Sequence, residues 1–314
     1  MNLYVWPSDF GLPSIDTRCL QFAACAKFCA APVTVIPSVS AWKSPNGEYP
    51  VFTVPDNNST VSSKITDFSK FTEFLRMTAQ DVILDVHLTS SEKSEIDAFA
   101  ALMQHKFYPA QLHLLWCDKW NYSTVTSRWF ASHLSFPYGL YYLESRRKRA
   151  AAYVAARKRT ETELITDAIG VINLLSLKLG DNKYFYGDKP SSLDALIFGY
   201  LAPMVKLPLP SDRLQQHILA CPNLIRFVES IISIYLPLSE TQIRQQASLK
   251  DEWAARRHKA QREAEQAKLR KESVDTKVET PIRDAVIFAV GALTLSILFA
   301  VHSGIVQIAV EEDE

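Results

Sequence analysis

The chain has 314 residues, 47% of them hydrophobic, and its 34 lysines and arginines balance its 34 aspartates and glutamates. This length suits one large domain or two closely packed ones, and a net charge of zero excludes a globally basic nucleic-acid-binding protein. Its five cysteines contain no CxxC pair and its seven histidines have no metal-ligand spacing, so no metal site is predicted.

The first 80 residues alternate between strand and helix patterns. Short β-branched or aromatic runs predict strands at residues 3–6, 33–36 and 50–54. Apolar residues at helical spacing predict helices over residues 14–30 and 62–74. We therefore expect a small α/β domain over residues 1–80.

Pro50 opens the third predicted strand, and two interpretations of it are open. In a thioredoxin-like domain a cis-proline lies at this point and shapes the ligand cleft. The alternative is a proline on an edge strand, where the missing backbone N–H costs no ladder hydrogen bond.

Three hydroxyl groups are candidates for the same cleft. Ser14 precedes the first long helix, where it would either stabilise a bound thiolate or cap the helix. Ser62 and Ser63 precede the next helical pattern, and they would either hold a ligand carboxylate or cap the helix around Ile65.

From about residue 90 onward the strand patterns stop. Helices are predicted over residues 92–108, 146–180 (one long helix or two stacked ones), 191–204 and, as a pair, 212–235. Ser191 and Asp194 have the spacing of a capping box at the head of an apolar helix. We therefore expect an all-helical domain over residues 90–245, and an α+β chain overall.

Arg146, Arg147, Lys148 and Arg149 form the densest local charge, and we call them the basic cluster. One interpretation is a solvated helix face, and the other is contact with anionic lipid or an acidic partner. Aromatic residues do not alternate with these cations in the way that a nucleic-acid platform requires.

The C-terminal region changes character twice. Residues 246–281 are predicted to form a charged helical linker, and residues 282–310 a transmembrane tail anchor. The charge-free stretch begins with Ala285, includes Leu295 and ends with Val301. Its 17 residues span roughly 26 Å as a helix, and the apolar character continues beyond it. The alternative is a buried core helix, although a core helix usually keeps a polar stripe.

The distribution of basic residues predicts an orientation for this anchor. Lysines and arginines precede the span and none follows it, so the positive-inside tendency leaves the bulk of the protein in the cytosol. Phosphate-binding loops, dinucleotide fingerprints, nucleophile elbows and HExxH motifs are all missing from the sequence. We therefore predict no catalytic residue, no cofactor and no metal.

Several stretches together carry a family resemblance. The segments around Pro50, Ser62 and Ser63, residues 185–195 and residues 221–224 resemble the glutathione S-transferase scaffold. More specifically, the chain resembles the membrane-anchored branch of the metaxin family. The matching stretches are Trp6, residues 11–16, 42–47, Trp116, residues 121–122, 185–200 and 303–306.

The resemblance implies a thioredoxin-like N-terminal domain and a glutathione-transferase-type helical domain. It also implies a non-catalytic protein of the mitochondrial outer membrane that pairs with a second metaxin. Its further implied partners are the β-barrel sorting and assembly machinery and the adaptors that attach mitochondria to microtubule motors. Ser62 and Ser63 replace the acidic or amide residue and serine that bind glutathione in transferases, which weakens ligand binding.

Two alternatives remain open at this point. The first is a membrane-anchored, glutathione-dependent transferase, for which Ser8 and Ser14 are candidates by position only. The second is a lipid-surface module that uses the basic cluster and the arginines that follow it.

Overall fold

The computed structural model describes residues 1–40, 44, 47–54, 63–78, 82–275, 289–290 and 292–296. Residues 1–261 form one compact unit, and residues 262–314 are assigned to a second. Ser62, Ala285, Val301 and most of the predicted anchor lie outside the described residues.

A four-stranded sheet forms the N-terminal part of the first unit. Its strands are β1 (Asn2–Val5), β2 (Thr34–Pro37), β3 (Val51–Val54) and β4 (Ser63–Ile65), in the order β2-β1-β3-β4. The β1–β2 pair is parallel, whereas β3 is antiparallel to both β1 and β4. This mixed order is that of a thioredoxin-like sheet.

The predicted helix over residues 62–74 is wrong at its start. Ser63 begins β4, which pairs with β3, and helix α2 covers only Phe68–Met77. Asp67 caps α2, because its carboxylate accepts a hydrogen bond of 3.1 Å from the Lys70 amide. The interpretation of Ser63 as a helix cap is therefore wrong, and a three-residue strand is too short to show an alternating pattern.

The first helix also begins later than predicted. Helix α1 covers Thr17–Phe28, and Asp16 is its cap, accepting hydrogen bonds from the Arg18 and Cys19 amides. Ser14 therefore does not cap α1. The helix is almost entirely buried because α2 and later helices pack against it.

The remaining helices follow α2 in the chain. They are α3 (Ser90–Leu102), α4 (Tyr108–Leu112), α5 (Lys119–Asn121), α6 (Ser127–His133), α7 (Tyr138–Ala155), α8 (Glu161–Leu179), α9 (Ser192–Lys206), α10 (Arg213–Leu219), α11 (Pro222–Tyr235) and α12 (Glu240–Asp275). π-Helical turns join α3 to α4, follow α4, and join α5 to α6. The α+β prediction is confirmed, and residues 146–180 form parts of two helices, α7 and α8, rather than one.

Helix α9 is the centre of the helical part, and α1 packs directly against it. Gly199 makes this approach possible, because a Cβ atom at that position would lie 2.6 Å from the Thr17 carbonyl oxygen and would also meet Gln21. The Gln21 amide donates a hydrogen bond of 3.2 Å to the Leu196 carbonyl across the same contact. The closeness of α1 and α9 therefore depends on one residue without a side chain.

Helix α12 begins at Glu240, earlier than the predicted linker, and the compact first unit extends along it to Gln261. Within the described residues, no single helix is long and apolar enough to cross a membrane. Helices α10 and α11 meet that hydropathy criterion only when taken together across a bend of 88°.

Replacing Gly199 with alanine should destabilise the chain by about 1–3 kcal/mol, because the new methyl group overpacks the contact between α1 and α9. The control is Gly170→Ala in α8, where a Cβ atom meets nothing within 4 Å. Alanine there should raise the free energy of unfolding by about 0.5–1 kcal/mol. Urea unfolding of the full chain in mild detergent, followed by tryptophan fluorescence, measures both. Equal stability of the two variants would contradict the packing argument.

Candidate functional site

The interface between the sheet and the helices is held by an aromatic cluster around Trp6. The Trp6 ring is buried just after β1, and its centroid lies 5.0 Å from that of Tyr49 and 5.2 Å from that of Phe130. Trp129 and Tyr142 complete the cluster, at 6.4 and 5.5 Å from Trp6. Edge-on pairs of this kind contribute about 0.5–1.5 kcal/mol each beyond their buried area, so the two parts are firmly joined.

Asp9 ties the loop between β1 and α1 to the helical part. Its carboxylate accepts one hydrogen bond of 2.9 Å from the Trp129 indole and another of 2.7 Å from the Phe10 amide. Burial raises the pKa of Asp9, and these two hydrogen bonds oppose the rise. We call residues 6–16 the β1–α1 loop.

Arg146 of the basic cluster is turned inward rather than solvated. Its guanidinium lies 2.7 Å from the Glu48 carboxylate, and both side chains are mostly buried. Arg149 approaches the same Glu48 oxygen at 2.7 Å. Burial opposes the charged form of Arg146, but the combined attraction of Glu48, Asp16 and two neighbouring tyrosines outweighs it and raises the pKa. The interpretation of the whole cluster as a solvated face is therefore wrong at Arg146.

The other two members of the basic cluster have different surroundings. The Arg147 guanidinium lies 4.4 Å from the centre of the Tyr122 ring. Lys148 is 76% exposed and pairs with Glu144 one turn earlier, at 3.3 Å. Four consecutive cations therefore do not share one binding surface, because successive helix positions point in different directions.

Arg146→Ala should lower the free energy of unfolding by about 3–5 kcal/mol, because it leaves the mostly buried Glu48 without one of its two partners. Lys148→Ala should change it by less than about 0.5 kcal/mol, because that pair is exposed. Urea unfolding of both variants tests the difference. A similar small effect of both substitutions would show that Arg146 behaves as a surface residue.

Pro50 is buried and directly precedes β3. The Tyr49–Pro50 peptide bond is cis, and β3, which follows it, is an interior strand. The edge-strand interpretation is therefore wrong. The Tyr49 hydroxyl lies 2.7 Å from both the Ser38 hydroxyl and the Ser40 carbonyl oxygen. These contacts hold the Tyr49 side chain against the segment that follows β2.

Ser14 is placed inside the protein and not on a cleft wall. Its side chain is 1% exposed, and its hydroxyl forms no hydrogen bond to an oxygen or nitrogen atom of the described residues. It faces the Cys19 thiol, whose pKa is raised well above the usual range by burial and by the nearby Asp16 charge. Ser14 therefore has no ionised thiol of this chain to stabilise.

That Ser62 and Ser63 hold a ligand stays a prediction. Ser62 is outside the described residues, and Ser63 is part of β4. The Arg18 guanidinium donates a hydrogen bond to the Thr66 carbonyl, which joins the start of α1 to the β4–α2 turn. Arg18 was not a predicted site residue, and an isolated arginine in a helical pattern gives no signal for such a contact.

Helix α12 covers the β1–α1 loop from the outside. The Gln242 amide donates a hydrogen bond of 2.9 Å to the Ser8 hydroxyl, and the Gly11 amide donates one of 2.7 Å to the Gln246 carbonyl oxygen. The Trp253 ring packs edge-on against Phe10, with centroids 5.1 Å apart. The predicted linker is therefore helical, but its first half is packed on the body.

Further along α12, two contacts reach the segment after α9. The Arg257 guanidinium lies 2.8 Å from the Asp212 carboxylate, and the Gln261 amide donates a longer hydrogen bond of 3.4 Å to the Pro210 carbonyl. Sequence analysis missed this packing. Trp253, a lone aromatic residue in a charged run, was the available signal.

Two cavities remain where the sheet meets the helices. The inner one is about 50 Å³, and among its lining residues are Asp16, Thr17, Gln111, Trp116 and Arg146. The outer one is an open groove of about 510 Å³, whose polar lining residues include Arg18, Asp67, Gln104 and His105. Across the described part of the chain, histidine, cysteine and acidic side chains form no group that could hold a metal ion.

Ser191 and Asp194 form the capping box at the start of α9. The Ser191 hydroxyl accepts from the Asp194 amide, and the Asp194 carboxylate accepts from the Ser191 amide at 2.8 Å and from the Phe185 amide at 2.9 Å. Burial raises the pKa of Asp194 to about 6, although these hydrogen bonds lower it. Asp85, also buried, accepts from the Ser192 amide at 2.8 Å. These carboxylates are used for folding and do not face either cavity.

Comparison with known proteins decides the family. The family of outer mitochondrial membrane transport complex proteins matches residues 19–147, and the glutathione S-transferase C-terminal domain matches residues 168–231. A metaxin-1 homolog of Caenorhabditis briggsae is 51% identical over 314 residues, which cover 100% of this chain and 99% of the relative. The chain belongs to the metaxin family. The resemblance seen in the sequence is thereby confirmed.

More distant metaxins match about three quarters of this chain. Metaxin-3 of Xenopus laevis is 36% identical over 245 residues, covering 75% of this chain and 76% of the relative. Human metaxin-1 is 31% identical over 252 residues, which cover 77% of this chain and 53% of the human protein.

The fold is shared with solved transferases. A glutathione S-transferase of Ceriporiopsis subvermispora, solved in complex with glutathione, superposes with a TM-score of 0.52 at 14% identity, covering 76% of this chain and 98% of that one. This likeness shows a glutathione-transferase-like fold and nothing about activity.

Proposed function

We propose that this metaxin is a non-catalytic adaptor of the mitochondrial outer membrane. It acts in protein import and in the sorting and assembly of β-barrel proteins, beside a second metaxin. The family match to outer mitochondrial membrane transport complex proteins supports this proposal. So do the metaxin relatives, one of them similar along the whole chain.

The observation that carries the non-catalytic part is the covering of the β1–α1 loop by α12. A transferase of this fold would need a hydroxyl that points from this loop into an open cleft. Ser8 is instead hydrogen-bonded to Gln242 of α12, and Ser14 is buried against Cys19. The inner cavity, about 50 Å³, is much smaller than the roughly 300–1,000 Å³ of ordinary small-molecule sites. The outer groove, about 510 Å³, is within that range, but neither Ser8 nor Ser14 lines it.

Ser8→Ala and Ser14→Ala should both support β-barrel assembly as well as the unsubstituted chain does. Neither hydroxyl takes part in a reaction if the protein works by docking. The measurement is the amount of radiolabelled β-barrel precursor assembled by isolated mitochondria that lack the endogenous protein and carry each variant. Titration of the purified chain with glutathione in a calorimeter should give no saturable heat.

The transferase alternative makes the opposite prediction for the same proteins. Turnover of glutathione with an electrophile that is present in the unsubstituted chain, lost in Ser14→Ala and kept in the exposed-serine control Ser135→Ala would overturn the non-catalytic proposal. Normal β-barrel assembly in mitochondria from which the whole chain has been removed would overturn the import role.

We also propose that residues 282–310 anchor the protein, with the bulk facing the cytosol. The described part of this segment, residues 289–290 and 292–296, is helical, and Leu295 is 70% exposed. An exposed leucine in a charge-free segment has no partner in water that would stabilise it, whereas lipid would.

Leu295→Arg should release much of the protein from mitochondria, because an arginine in mid-span costs about 2.5–3.5 kcal/mol on insertion. Leu249→Arg in α12 is the matched control, since it adds the same charge outside the anchor. Carbonate extraction followed by immunoblotting measures the membrane-bound fraction. Equal membrane retention of the two variants would contradict the anchor.

A further inference from the structure

The turn between α6 and α7, together with the first turn of α7, exposes three large apolar side chains within six residues. Phe136 is 83% exposed, Leu140 is 62% exposed and Tyr141 is 72% exposed. We call these three residues the turn patch. Burial of such side chains would be worth roughly 1.5–3 kcal/mol each, so a continuous exposed group of them indicates a binding surface.

The folding of this turn does not need the turn patch. Leu134, Tyr142 and Leu143 are the residues that the turn contributes to the core, and the Gly139 amide donates to the Ser135 carbonyl at 2.9 Å. The turn is thus held by other groups of the same segment. The three apolar side chains project outward from a fixed backbone.

Three cations of α6 and α7 lie beside Leu140 or within two helical turns of Tyr141. Arg128 and Leu140 line the same open groove between α6 and α7, and Arg128 forms no ion pair within the described part of the chain. Lys148 lies two turns after Tyr141 on α7 and pairs with Glu144, the carboxylate nearest to it. Arg147, over the Tyr122 ring, adds a third positive charge. Three cations against one carboxylate make this surface complementary to an anionic one.

We propose that the turn patch inserts into the anionic surface of the membrane that holds the anchor, with Arg128 and Lys148 at the lipid headgroups. The proposal rests on the anchor described under the proposed function. Aromatic and aliphatic side chains that are flanked by lysine or arginine favour the boundary between headgroups and acyl chains. Anionic lipid near the surface adds about 1 kcal/mol per cation.

The length of the apolar surface favours a lipid over a partner helix. A helix bound in a groove needs apolar anchors over at least two turns, at positions i, i+3 or i+4, and i+7. On the exposed face of α7 the apolar surface lasts one turn, because Glu144, Arg147 and Lys148 follow Leu140 and Tyr141. A one-turn tip matches the roughly 5–10 Å by which interfacial elements enter a bilayer.

The first unit ends at Gln261, whose contacts lead to the segment before α6. Gln261 contacts Pro210, and the neighbouring Ser211 exchanges hydrogen bonds of 2.8 and 3.0 Å with the Asn121 side chain. Asn121 ends α5, and a π-helical turn over Tyr122–Thr126 separates it from α6. An anchor in the same chain raises the effective concentration of the membrane surface for the turn patch.

Site-specific fluorescence on the full chain in liposomes tests the proposal. Leu140→Cys carries an environment-sensitive label, and Leu177→Cys, at an 84% exposed leucine of α8, is the matched control. The unsubstituted chain, labelled in the same way, gives the background from its half-buried Cys117 and Cys221. The liposomes contain either neutral lipid alone or neutral lipid with anionic lipid, with or without a lipid that carries a quencher just below the headgroup.

The label at position 140 should shift its emission to shorter wavelength and be quenched by the shallow quencher, more strongly with anionic lipid. The label at position 177 should behave as it does in water. Flotation of the chain with the liposomes checks the anchor separately. If the chain floats but both labels remain in water, the turn patch proposal is overturned and the anchor stands. A shift at position 140 only after solubilised outer-membrane protein is added would also overturn it, in favour of a protein partner.

Discussion

The β1–α1 loop is held from two sides, and much of the structure depends on this clamp. From the inside, Asp9 accepts a hydrogen bond from Trp129 while Trp6 packs among four aromatic rings. From the outside, α12 binds the loop through Gln242, Gln246 and Trp253. The sheet, the helical part and α12 therefore all contact one short segment of about ten residues. A change in any of the three affects the contacts of the other two with this segment.

This clamp also explains how one scaffold can serve two kinds of function. In an enzyme the segment after β1 must present a reactive group to an open cleft, so it cannot be covered. In this chain the same segment carries its hydroxyl groups towards α12 and towards the core. The β1–α1 loop therefore joins the sheet, the helical part and α12.

The sequence predicts best what is local. The capping box of Ser191 and Asp194 follows from spacing alone, and α3, α8, α9, α10 and α11 follow from apolar periodicity. The short helices α4, α5 and α6 were not predicted. It predicts less well where two local choices have similar energies. Asp16 and Asp67 replace the nearby serines as caps, because both residue types cap helices equally well and the chain path decides between them.

Contacts between residues far apart in the chain could not be predicted. Arg146 is adjacent in sequence to three other cations, yet Glu48, almost a hundred residues away, decides that it turns inward. The covering of Ser8 by Gln242 has no local pattern either, because a glutamine in a polar helix is ordinary. The role of a charge or a hydroxyl here is set by its tertiary neighbour, so composition alone assigns it wrongly.

The contacts of α12 with the body also have a mechanical consequence. They are spread from Gln242 to Gln261 along one helix, a distance of about 29 Å. A force applied through the C-terminal end would reach them one after another, beginning with the longer hydrogen bond to Pro210 and then the ion pair with Asp212. The bonds to Ser8 and Gly11 would break last. The helix would thus peel away in stages, giving way first where its contacts are weakest and keeping the β1–α1 loop closed until the end.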